Sequence, residues 1–253
     1  MSIWGKVIGG VAGFALGGPL GAILGAVAGH QVDKMKAAEG GAGPSTFTGY
    51  GPDARQVAFT TAIIVLSAKM AKADGQVTSD EIAAFKRIFH IPPDEQKSVA
   101  EIWGRAKEDA AGYEPYAKQI AGLFAREPEV LEELLGALFH IAKADGVMHP
   151  KEMEMLANVA MIFGFDAHAF ERIKHIHLGG DAAGGADPYE ILDIHRNASD
   201  AEVKKRYRDL IRENHPDALM AKGVPQEFID LANEKMAAIN AAYDRIEKER
   251  GLR

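Results

Sequence analysis

Apolar and polar positions divide the chain into three stretches of different character. From Val7 to Gly29 no charged residue occurs over 23 residues. As a helix this stretch would reach about 35 Å, enough to cross the hydrocarbon core of a bilayer. Gly5, Gly9, Gly13, Gly17, Gly21, Gly25 and Gly29 recur every fourth residue. That period keeps them near one helix face, where another helix can approach closely. The pattern predicts a membrane anchor over 1–38 that also self-associates into a homodimer. Three other arrangements fit the same residues: a cleaved signal peptide ending at Ala26-Val27-Ala28, a helical hairpin broken at Gly18-Pro19, and a glycine-rich tail. Lys6 precedes the span and Lys34 and Lys36 follow it. This small basic excess puts the C-terminal portion in the cytoplasm.

Glu39 to Gly51 is rich in Gly, Pro, Ser and Thr and predicts a linker. From 52 to 178 apolar residues recur at helical spacing, and nowhere do they alternate for long as in a strand. Helices are expected near 53–72, 78–90, 93–111, 113–125, 128–144, 150–163 and 166–177. Ile63, Leu66 and Met70 mark one buried stripe, and Leu131, Leu134, Leu138 and Ile141 another. Two of these helices end alike: Ala71-Lys72-Ala73-Asp74-Gly75 returns as Ala142-Lys143-Ala144-Asp145-Gly146, 71 positions later. Glu81 and Glu152 each follow their aspartate by seven residues. A helix, an Asp-Gly turn and a second helix thus occur twice, as expected of an internal duplication with pseudo-twofold symmetry.

Asp74, Glu81, Asp145 and Glu152 are candidates to hold a hard divalent cation through oxygen ligands. Local roles account for the same residues without metal. Thr78-Ser79-Asp80-Glu81 is a capping box, Glu152 follows a helix-starting Pro150, and Asp-Gly is an ordinary turn. Asp166, His168, His175 and His177 lack the His-Glu-x-x-His spacing of a zinc protease and read as separate surface residues near a helix end. Trp103, Tyr113 and Tyr116 read as helix packing.

Gly179 to Ala186 predicts a second linker, leaving a short helical unit over 187–253. Pro188 opens a helix that contributes Tyr189, Ile191 and Leu192. Ser199 with Glu202 forms a capping box for the next helix. Val203, Tyr207, Leu210 and Ile211 give that helix its apolar face; Lys204, Lys205, Arg208 and Arg212 give it a basic one. A third helix, from about Pro225 to Glu249, brings Phe228, Leu231, Met236, Ile239 and Tyr243. The second and third helices are expected to pair as an antiparallel hairpin, with His215-Pro216-Asp217 in the connecting loop.

Composition narrows the function. Hydrophobic residues are 47% and charged residues 26%, as in a folded globular chain. The net charge of −7 argues against a nucleic-acid partner. There is no cysteine, which excludes disulfides, thiolate zinc sites and thiol catalysis. No nucleophile–base set or phosphate loop is present, so the chain does not read as an enzyme.

Asp187-Pro188-Tyr189-Glu190-Ile191-Leu192, the basic helix, His215-Pro216-Asp217 and Ile239-Asn240-Ala241-Ala242-Tyr243 together resemble the J-domain of the DnaJ family. The resemblance implies a partner, a DnaK-type chaperone whose ATP hydrolysis the J-domain triggers. Asp217 would then pair with an arginine of that chaperone, while His215 and Pro216 shape the loop. Lys204, Lys205, Arg208 and Arg212 would dock on its acidic surface. Several positions depart from the family pattern: Asp193 in place of glycine, Ala218 in place of a basic residue, Met236 in place of phenylalanine, and no fourth helix before Arg253.

The repeated Ala-Lys-Ala-Asp-Gly signature resembles the all-helical TerB-like domain, in which acidic residues have been suggested to bind metal. Trp4-Gly5-Lys6 before the span, Asp33-Lys34 after it, the TerB-like middle and Ala221-Lys222-Gly223-Val224-Pro225 complete a resemblance to the DjlA family of DnaJ-like co-chaperones of the bacterial inner membrane. That implies an all-α chain with a single-pass anchor in the lipid bilayer. It also implies a cytoplasmic C-terminal portion, and no cofactor unless the carboxylates take a cation. Other readings remain: a metal- or stress-responsive sensor with the J-domain as secondary output, or a membrane scaffold.

Overall fold

The computed structural model describes residues 18–22, 52–73, 85–86, 91–109, 112–144, 146, 148–178 and 187–252. These form helices and turns, with no strand among them. Helix α1 (Pro52–Ala73) runs through the middle of the larger core. Its residues from Val57 to Ala71 are buried on every side, not only along the expected Ile63–Leu66–Met70 stripe. A helix enclosed all round loses the amphipathic signature of a surface helix. Its buried hydroxyls are absorbed by the helix itself: Thr60 Oγ1 donates to the Gln56 carbonyl at 2.9 Å and Thr61 Oγ1 to that of Val57 at 2.7 Å.

Around α1 pack α2 (Gln96–Glu108), α3 (Glu114–Leu123), α4 (Pro128–Ala142) and α5 (Pro150–Ile162), with α6 (Ala167–Leu178) laid across α4 and α5. The two helices that end in the repeated signature, α1 and α4, thus form the centre of this unit. The helix expected near 78–90 is described only at 85–86, where Phe85 meets Trp103 edge to face at 5.0 Å. Trp103 packs, as its place in the sequence suggested. Prolines occupy the first helical position of α1, α4 and α5, where a missing N–H costs nothing.

Residues 18–22 form one helical turn. Leu20 is buried, and its N–H donates to Gln119 Oε1 at 2.9 Å. Of the seven glycines at four-residue spacing only Gly21 lies among the described residues. Among those residues no helix is long and apolar enough to cross a membrane.

The C-terminal unit comprises α7 (Pro188–Ile191), α8 (Asp200–Glu213), the short α9 (Pro216–Ala221), a 3-10 turn (Gln226–Phe228) and α10 (Ile229–Arg250). Helices α8 and α10 pair around Val203, Leu210, Ile239, Ala242 and Ile246, joined by Tyr189 and Leu192. Tyr207 and Tyr243 stack at 4.0 Å with an interplanar angle of 15°. The expected hairpin is therefore present. Phe228 and Leu231, however, do not join it: with Leu219, Val224 and Ala232 they pack into the larger core. Helix α10 serves two cores, its first half the α1–α6 unit and its second half the hairpin.

Candidate functional site

His215-Pro216-Asp217 caps a helix and does not lie in an open loop. His215 is the N-cap of α9, with its Nδ1 accepting the Asp217 N–H at 3.2 Å, and Pro216 is the first helical residue. Both features follow from local chemistry: a side-chain acceptor at the N-cap and a proline with a preset φ directly after it. Asn214 closes α8 just before, its Nδ2 donating to the Leu210 carbonyl at 2.8 Å. The side chains of His215 and Asp217 remain 52% and 82% exposed. The backbone is fixed while the chemistry stays open to a partner.

Lys204, Arg208 and Arg212 recur every fourth residue and so form one stripe along α8, with Lys205 beside it. Lys205, Arg208 and Arg212 are exposed and Lys204 is half-buried. The stripe runs along α8, and the tripeptide follows that helix directly in the chain. Arg206 is turned the other way and does structural work. Its Nε donates to the Leu192 carbonyl at 3.1 Å and its Nη2 meets Asp193 Oδ2 at 3.0 Å. Asp193 is the single non-glycine with positive φ among the described residues, at 53°. A left-handed position costs about 1 kcal/mol or more for an ordinary side chain, and the Arg206 pair offsets part of it. Arg250 pins the end of α10 across the unit: Nε donates to Tyr189 Oη at 2.8 Å, Nη1 to the Ala198 carbonyl at 2.7 Å and Nη2 to the Arg196 carbonyl at 2.6 Å.

An ionic joint crosses from α10 to α4. Lys235 is 1% exposed, with Nζ 2.9 Å from Glu132 Oε1 and 3.1 Å from Glu133 Oε1. Arg172 of α6 grips Glu132 with two hydrogen bonds, both 3.0 Å. Burial by itself would raise the Glu132 pKa; Lys235 and Arg172 overcome it and hold the carboxyl well below the usual range. Glu133 goes the other way: burial raises it despite Lys235, and its Oε2 has no hydrogen-bond partner among the described residues. Nothing in the sequence marked these residues. Charged side chains in helices are ordinarily solvated, and the partners stand 102 positions apart.

His177, expected at the surface, is buried against α4. Gly136 gives it room: a Cβ there would lie 2.4 Å from His177 Nε2. Its Nδ1 is 3.1 Å from His140 Nε2, which faces Glu234 Oε2 at 3.4 Å. Burial, then the neighbouring His140 and Lys235, push its pKa down to about 3 from 6.5. A histidine kept neutral in the fold contributes stability above its unfolded pKa, and this is lost as pH falls from about 6.5 towards 3. At pH 5.5 the loss is roughly 1–2 kcal/mol. Glu133, with its raised pKa, acts with opposite sign, so the test is a difference. Between pH 7.5 and 5.5 the Tm of the wild-type chain should fall about 3–6 °C further than that of His177→Gln. Equal slopes, measured by calorimetry, would reject the assignment. His168 and His175 are exposed as expected, at 63% and 43%.

Of the four candidate metal ligands, Asp74, Glu81 and Asp145 lie outside the described residues. Glu152 is buried, and its Oε2 accepts the His149 N–H at 3.0 Å, the capping role that competes with a metal. Among the described residues no group of three ligating side chains comes together.

Residues 1–48 match the family described as the co-chaperone DjlA transmembrane domain, 60–175 that of tellurite resistance protein TerB, and 187–250 the DnaJ domain. The co-chaperone protein DjlA of Photobacterium profundum is 32% identical, over 99% of this chain and 100% of its own length. Those of Vibrio cholerae and Shewanella oneidensis are each 33% identical, and both alignments span both chains in full. No solved structure matches.

Proposed function

The chain belongs to the DjlA family of membrane-anchored J-domain co-chaperones, and on that footing we propose that it brings a DnaK-type chaperone to the bacterial inner membrane and stimulates its ATP hydrolysis there. The observation that carries this reading is the capped, exposed tripeptide directly after a basic stripe. In this reading the stripe of Lys204, Lys205, Arg208 and Arg212 orients the encounter electrostatically. Asp217 then meets an arginine of the partner, and the contact biases that partner towards its hydrolysis-competent arrangement. Phosphate chemistry belongs entirely to the partner; this chain contributes binding and allostery.

The anchor is read as a single pass with the C-terminal portion in the cytoplasm, and as a dimer contact through Gly5, Gly9, Gly13, Gly17, Gly21, Gly25 and Gly29. A divalent cation held by Asp74, Glu81, Asp145 and Glu152 would have to displace Glu152 from its helix cap. The test of the main reading is single-turnover ATP hydrolysis by a DnaK-type chaperone with the full chain in detergent micelles. Stimulation that weakens steeply with added salt is expected, because exposed charges are screened beyond about 10 Å at 0.1 M. No stimulation at low salt would retire the co-chaperone reading for this chain.

A further inference from the structure

The tripeptide hangs on a helix that cannot stand alone. Helix α9 has six residues, far below the length at which a helix recovers its nucleation cost in water. Its order must come from what it packs on, and beyond its hairpin neighbours α8 and α10 that is the larger core. Leu219 is fully buried in the larger core. Lys222 Nζ meets Glu129 Oε1 at 2.5 Å. Gly223 is buried at φ +107, where a Cβ would come within 2.6 Å of Arg55 Cβ, so the chain passes close against α1. Val224 is buried, and Phe228 meets Phe59 edge to face at 4.9 Å. About two turns beyond Phe228 along α10, Lys235 enters the Glu132–Glu133 joint. The basic stripe, in contrast, is held by the hairpin core through Val203 and Leu210. The two parts that a chaperone must meet together are therefore fastened to different cores.

We propose that the TerB-like helices position the chaperone-activating loop: the Lys235–Glu132–Glu133 joint and the seat of Leu219 and Phe228 hold His215-Pro216-Asp217 at a fixed angle to the basic stripe of α8. The middle domain is on this account a working part of the J-domain, and Lys235, Glu132 and Glu133 are positioning residues. The inference rests on the co-chaperone reading above.

The test uses the full chain in detergent micelles, with Lys235→Met, which keeps volume and removes the charge. Hydrogen exchange should quicken over residues 216–225 and stay unchanged in α8. Maximal stimulation should fall roughly tenfold or more, the scale on which displacement of a positioned group acts. The half-saturating concentration should move less than about threefold, because the stripe that steers encounter is intact. The chain has no cysteine, so cysteines introduced at 129 and 222 can be joined by a short bis-maleimide; this cross-link should restore stimulation to Lys235→Met. Phe228→Leu is the milder companion should Lys235→Met fold poorly. Opening of 216–225 with full stimulation would overturn the proposal, as would a loss that the cross-link fails to repair. Stimulation that rises on opening would also overturn it, since the joint would then restrain the loop. Wild-type chain without stimulation defeats the co-chaperone reading itself. Unchanged exchange over 216–225 in both variants defeats the joint alone.

Discussion

His215→Gln and Asp217→Asn chains will fold as the wild type does and lose stimulation of the DnaK-type ATPase. Both side chains project into solvent, and neither is packed in either core. Asp217 interacts with its own chain through its backbone N–H, which Asn retains, and through an exposed carboxylate–imidazole contact with His215 at 3.9 Å. A surface substitution such as Asp217→Asn stays within about 0.5 kcal/mol of wild-type stability. The cost falls on binding. If the tripeptide is the centre of the contact, removing one charge-assisted partner costs about 2 kcal/mol or more, a loss of about thirtyfold. His215→Gln acts differently: the imidazole acceptor at the N-cap is replaced by a longer amide, so α9 loses part of its cap. Asp217→Asn should therefore raise the half-saturating concentration, while His215→Gln should also quicken amide exchange at the start of α9. Single-turnover hydrolysis paired with thermal melts separates these effects. Either variant stimulating at the wild-type level would remove the tripeptide from the mechanism.

Lys235→Ala is the substitution with the largest expected effect on stability. It leaves Glu132 and Glu133 facing Arg172 alone in a site where both carboxylates are almost fully buried. Breaking one side of such a cluster costs about 3–5 kcal/mol, because the stranded charge is not resolvated. Lys235→Met fills the space and costs less. Adding Glu133→Gln to Lys235→Met should recover part of the remainder, since Glu133 already resists ionisation through burial. Urea denaturation of the three chains gives the ordering directly. A loss below about 1 kcal/mol for Lys235→Ala would mean that water reaches the joint and that the two units are not coupled through it.

Much of the local structure was legible from single residues. Pro150 and Pro188 start helices as expected and the Ser199–Glu202 capping box forms as written; Pro216 also starts a helix, where a loop was expected. These signals act over a few residues, so no tertiary information is needed to read them. The basic stripe was equally plain, because its period is that of the helix. His149-Pro150-Lys151 starts α5.

The sequence by itself thus determined the all-helical class, the order of the parts, several helix starts, and the residues here proposed to meet a chaperone. The tertiary structure decided how those parts are joined. Periodicity shows that one face of α10 is apolar but not that its first half enters the larger core and meets Glu133 while its second half joins Tyr189 and Val203. A charged residue carries no mark of burial until its counter-ions arrive from helices about a hundred positions away, and so Lys235 looked like any solvated lysine. His177 was misplaced for the same reason, since only the absent side chain of Gly136 on a neighbouring helix makes room for it. Short-range chemistry is written in adjacent residues; long-range pairing is selected by the packing free energy of the whole fold, which no local window contains.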